Sequence, residues 1–109
     1  MINLKMKLIT VFAPPKAYPV LSTALRRARV SGITVSKVEG YGAEHLSADM
    51  DLFGHLNPKM KVEIAVDQES CEKVIELVRT TIQGSDTDSG TTIFVSNLEE
   101  VIKVPRKRE

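Results

Sequence analysis

The 109-residue sequence has no tryptophan, a single cysteine and no long apolar run, and its charges nearly cancel. Each shortage closes off a class of protein. One thiol, Cys71, excludes an intramolecular disulfide and with it a disulfide-stapled secreted scaffold. Without about 18 consecutive apolar residues no membrane-spanning helix is expected. With no recognisable signal segment, the chain is expected to be soluble and cytoplasmic. Fifteen Lys and Arg against fourteen Asp and Glu leave a net charge of +1, so no global field gathers nucleic acid or anionic lipid. Neither partner, nor direct membrane insertion, is expected.

What is present is ordinary globular material: 42% apolar and 27% charged residues, with only 5% aromatic, which predicts one aliphatic core. The length fits a single domain over residues 1–109. Met6 to Ala13 is rich in β-branched and aromatic types and reads as a strand covered on both faces. After Pro14-Pro15, Pro19 suits a first helical turn, and Leu21, Ala24, Leu25 and Ala28 recur at helical spacing, with Gly32 as the expected left-handed cap. Gly32 to Glu39 and Lys59 to Val66 read as strands, the second alternating cleanly with Met60, Val62, Ile64 and Val66 on one face. Between them residues 43–58 have no sustained period and read as a long exposed loop, a feature usually functional or disordered.

Asp67 is placed to cap a second helix whose apolar face is Cys71, Val74, Ile75, Val78 and Ile82, and Gly84 closes it. Ser85 to Gly90 is turn-rich and Ile93 to Val95 is strand-like; Asn97 is expected to cap one helical turn, and Val101 to Val104 to form a last short strand before a free tail, 105–109. Two β-α-β halves of nearly equal length predict an α+β, ferredoxin-like split βαβ-βαβ sandwich: four antiparallel strands with two helices on one face. The other face is expected to carry Val, Ile and Met positions and to be buried by other subunits.

Several stretches together carry a resemblance. Gly32-Ile-Thr34-Val35, Gly40-Tyr41-Gly42, Leu56-Asn-Pro58-Lys59-Met-Lys61-Val-Glu63-Ile64 and Thr92-Ile-Phe-Val95 followed by Val101-Ile-Lys103 stand in the order and spacing of the PII signal-transduction proteins. The chain resembles that family from Met6 to Lys103. The resemblance implies a homotrimer whose sheets face inward, an adenine nucleotide held in clefts between subunits, and a long loop that touches a transporter or enzyme. It assigns Thr34, Gly40, Tyr41, Gly42 and Glu63 to the adenine and loop-base positions and Lys59 and Lys103 to cationic ligand-binding positions. Ser89, Gly90, Thr91 and Thr92 fall in the phosphate-binding turn. Glycine lets backbone approach a ligand, and a lysine ammonium serves as a point charge for phosphate.

The departures from the family pattern are specific. The loop is shorter by about four residues in this alignment and has no tyrosine at its tip, so nucleotidyl modification there is not expected. Gly42-Ala-Glu44-His45-Leu46 replaces the stretch whose Gln helps hold magnesium and 2-oxoglutarate. In the phosphate turn Thr92 stands for a lysine, and Pro105 for one of two terminal arginines. Each lost charge-assisted bond removes about 1.5–3 kcal/mol. ADP or AMP is therefore favoured over Mg-ATP with 2-oxoglutarate, with ATP as a third candidate and no obligatory cofactor. The shortened loop and altered turn also resemble PII-like proteins tied to bicarbonate uptake.

Duller readings stand beside the sharper ones. Asp86-x-Asp88-x-Gly90 faintly matches a calcium loop but lacks the distal Glu, so turn chemistry is preferred. His45 and His55 are read as loop histidines ahead of a shared metal site, and no metal is expected. Cys71 is read as a core residue, and Arg26, Arg27 and Arg29 as a solvated helix face ahead of an anion contact. The function expected is a non-enzymatic sensor; the alternatives are a trimeric interaction module without nucleotide, a nitrogen-regulatory PII protein and, less favoured, a small phosphate hydrolase, for which no catalytic constellation is visible.

Overall fold

The computed structural model describes residues 5–40, 56–85 and 90–107. Strand β1 (Met6–Ala13) leads through a short 3-10 turn (Pro15–Ala17) into α1 (Tyr18–Arg27) and back along β2 (Thr34–Gly40). Then come β3 (Asn57–Asp67), α2 (Gln68–Gln83) and β4 (Thr92–Leu98). The sheet order is β2-β3-β1-β4, every pair antiparallel. This is the ferredoxin-like arrangement expected.

Alternation decides which side of the sheet is covered. Ile9, Val11 and Ala13 of β1 and Met60, Val62, Ile64 and Val66 of β3 are buried, and they pair directly: Ile9 with Ile64, Val11 with Val62, Ala13 with Met60. Leu21 and Leu25 of α1 and Cys71, Val74 and Val78 of α2 close over them. Fully burying side chains of this size is worth about 1.5–3 kcal/mol each. The β3 alternation and the α2 stripe match expectation, with Ile75 and Ile82 partly buried against the same cluster. The α1 stripe holds in part: Leu21 and Leu25 are buried, with Ala17 one turn before them, and Ala24 is partly exposed, while Ala28 is exposed because it is the C-cap beyond the last helical residue, Arg27; Ser22 is buried beside the stripe.

Other expectations are corrected. β1 is buried on one face only, since Leu8, Thr10 and Phe12 keep accessible surface on the side opposite the helices. Asn57 and Pro58 belong to β3, paired with Gly40 and Glu39, so the connection after β2 ends earlier than residue 58. Asn97 caps no helix; it lies in β4 opposite Lys7, whose ammonium donates to Asn97 Oδ1 at 2.9 Å. Val101 to Val104 form no strand within this chain and are exposed. The uncovered face carries the expected Met and Val at Met6 and Val38, but no Ile of the four strands, and it also holds Leu8, Phe12 and Phe94 with Thr, Ser, Lys and Glu side chains among them.

The helix ends show how the sequence stops each element. Asp67 accepts a hydrogen bond from the Ser70 N–H at 2.8 Å, capping α2 as its position predicts, and Gly84 follows the last turn. At the end of α1 the left-handed residue is Arg29, with φ 61°, not Gly32. Its N–H donates to the Arg26 carbonyl at 3.0 Å, and the Val30 N–H donates to the Leu25 carbonyl at 3.2 Å. That bond pair is the one glycine usually makes at a left-handed helix cap. A side chain in that conformation costs about 1–2 kcal/mol.

Two stability measurements check these caps. Asp67→Ala is expected to lower unfolding free energy by about 1 kcal/mol, read as a smaller midpoint in urea. Arg29→Gly is expected to raise it by about 0.5–1 kcal/mol, the steric relief outweighing glycine's greater unfolded-state entropy, whereas Arg29→Val should lower it.

Candidate functional site

The uncovered sheet face can be built from its register. One row across the strands runs Thr34, Glu63, Thr10, Phe94, and the next runs Ser36, Lys61, Phe12, Thr92. Lys59 lies opposite Val38 one row further toward the end where Gly40 meets Asn57. Thr34, Lys59, Glu63 and Thr92 are thus on one face, and Thr34 is the direct cross-strand neighbour of Glu63.

These residues fall into two groups. Thr34, Lys59 and Glu63 sit on β2 and its neighbour β3, while Thr92 is on β4, the opposite edge. Three inter-strand steps of about 4.8 Å separate the two edges by about 14 Å. Gly90 and Thr91 approach β4 from the end of α2, where with Arg79, Ile82, Gln83, Ser85 and Ile93 they line a cleft of about 380 Å3. The Thr91 hydroxyl there is buried and has no hydrogen-bond partner among the described residues. Lys103 stands in the exposed stretch beyond β4. Tyr41, Gly42 and Ser89 lie outside the described residues, as do Glu44, His45, His55, Asp86, Asp88 and nearly all of the loop at 43–58.

Between the two groups lie Lys61 and Phe94, which belong to the motif stretches, and Thr10 and Phe12, which do not. Lys61 Nζ is 3.9 Å from Glu63 Oε1, with both side chains about one-third exposed. A pair this open adds little stability, but it sets two opposite charges beside Thr34 and Ser36. Phe12 and Phe94 meet edge to face, with ring centroids 5.9 Å apart and planes at 83°, a contact worth about 0.5–1.5 kcal/mol beyond its area. The period-2 placement of Thr10 and Phe12 in β1 was the available signal. It was obscured by reading β1 as covered on both sides.

The uncovered face offers hydroxyls, the Glu63 carboxylate, ammonium groups and two aromatic edges. Cys71 lies away from it, packed in the core; burial raises its thiol pKa, with Lys7 opposing and Glu72 adding to the rise. It is a small core side chain and not an activated thiolate. Among the described residues no helix is long and apolar enough to cross a membrane.

Comparison with known proteins agrees with the geometry. Residues 6–109 match the family described as nitrogen regulatory protein P-II. Nitrogen regulatory protein GlnK1 of Methanosarcina mazei is 36% identical, covering 91% of this chain and 89% of that protein. Nitrogen regulatory protein P-II of Rhizobium meliloti is 34% identical, covering 91% of each. A crystal structure of Arabidopsis thaliana PII bound to citrate, 25% identical, superposes with a TM-score of 0.73 over 94% of this chain and 85% of that one. With family, relatives and fold in accord, the chain belongs to the P-II family of nitrogen regulatory signalling proteins.

Proposed function

We propose that the chain acts as a homotrimeric, non-catalytic sensor of an adenine nucleotide, ADP or AMP in preference to Mg-ATP with 2-oxoglutarate, held in clefts between subunits. The output passes through the loop at 43–58 to a protein target in the cytoplasm, with a membrane transporter as the candidate. The observation that carries this reading is the division of the site: Thr34, Lys59 and Glu63 stand at one side of the sheet and Gly90, Thr91 and Thr92 at the other. Closing both halves on one small ligand takes the β2 side of one chain and the β4 side of another.

In this reading Thr34, Gly40, Tyr41, Gly42 and Glu63 hold the adenine and the loop base. Lys59 and Lys103 supply cations, and Ser89, Gly90, Thr91 and Thr92 form the phosphate turn. Thr92 brings a hydroxyl where a lysine would bring charge, which favours fewer phosphates. The loop responds only if the nucleotide binds its two states with different free energy. The names of the relatives favour a nitrogen-regulatory target over one linked to bicarbonate.

Titration calorimetry with ADP, AMP, ATP and cyclic AMP, alone and with bicarbonate or 2-oxoglutarate, tests the proposal. ADP or AMP is expected to bind one site per chain. Glu63→Gln is expected to weaken binding about tenfold or more, the scale of one hydrogen bond to a charged group, while light scattering still gives the mass of three chains. No heat from any nucleotide would leave an interaction module, nucleotide turnover would favour a hydrolase, and another mass would overturn the shared cleft.

A further inference from the structure

We propose that Arg26, Arg27 and Arg29, at the end of α1, form a docking surface for an acidic segment of a partner protein. All three are exposed, and none takes part in an ion pair among the described residues. The negative end of the helix dipole accounts for Arg26 and Arg27 in the last turn. It does not account for Arg29, which lies beyond the helix with φ 61°, the one described non-glycine residue in the left-handed region. Glycine would sit there without strain, and strain of this kind is retained where the side chain has work to do at a binding surface.

Beside Arg29 is a cleft of about 290 Å3 with Met6, Val30, Val66 and Val74 among its apolar lining and Asp67 and Ser70 also on its wall. The Asp67 carboxylate repels a small anion entering the cleft, so the attraction lies along the exposed rim. A run of carboxylates on a peptide can meet the three guanidinium forks there, with an apolar neighbour entering the cleft. This surface is at the Met6–Asp67 end of the sheet, the opposite end from Gly40 and Asn57. It is therefore separate from the strand ends that carry the loop proposed for output.

The full-length protein is titrated into a fluorescein-labelled octaglutamate peptide and followed by anisotropy at about 50 mM salt, where the Debye length still exceeds the reach of these side chains. The wild type is expected to bind, more weakly as salt rises. Combined Arg26→Gln, Arg27→Gln and Arg29→Gly is expected to weaken binding at least about tenfold, more than the twofold scale of a general charge effect. Combined Lys16→Gln, Lys73→Gln and Lys107→Gln removes the same charge from other exposed positions and is expected to stay within about twofold. Arg29→Gly alone should weaken the peptide while making the fold more stable, a split that a purely structural residue would not give. Four outcomes overturn the proposal: no binding by the wild type, equal loss in both triple variants, displacement by inorganic phosphate at matched ionic strength, or arginine-dependent preference for phosphatidylserine vesicles over the peptide.

Discussion

Ile9 opposite Ile64 and Val11 opposite Val62, four side chains with no accessible surface, hold the two central strands in one register. A slip of one residue would turn Met60, Val62, Ile64 and Val66 to the uncovered face and Lys59, Lys61 and Glu63 into the core. The cost of burying those charges makes the alternative untenable. Register therefore fixes two things together: where the helices pack and which polar groups the opposite face displays. The uncovered face is the reverse side of the core, specified by the same alternation.

This coupling explains what could be read from the residues alone. The period-2 pattern of β3 and the cap and stripe of α2 are local signals, and each was legible at its own position. The α1 stripe was legible at Leu21 and Leu25 and failed at Ala28, because the helix ends at Arg27 and leaves that residue at the exposed C-cap. The extent of β4 was hidden for another reason. Asn97 is a good cap in isolation, but Lys7 on the neighbouring strand gives its side chain a partner, and the antiparallel pairing extends β4 to Leu98. Gly32 offered the obvious left-handed residue, yet the bonds to the Leu25 and Arg26 carbonyls require that conformation three residues earlier.

The candidate site was legible as a set of residues but not as an arrangement. Motif order put Thr34 with Glu63, and cross-strand pairing agrees. The same order gave no sign that Thr92 would stand on the far edge, since distance across a sheet depends on strand order and not on spacing in the chain. With β2 and β4 at opposite edges, the family resemblance gains a physical argument for ligand sites shared between chains. The exposed Val101, Ile102 and Val104 beyond β4 add to it, being apolar side chains that one chain leaves uncovered.

Strain and charge then separate the surfaces from one another. The Gly40–Asn57 end of the sheet has a glycine at the edge of β2 and Lys59 one row in, opposite Val38. The Met6–Asp67 end keeps an arginine where glycine would fold with less strain. A chain that selected only for stability would lose that arginine first. Its presence, with two exposed arginines beside it, is the argument for a docking role at this end, away from the strand ends that carry the loop.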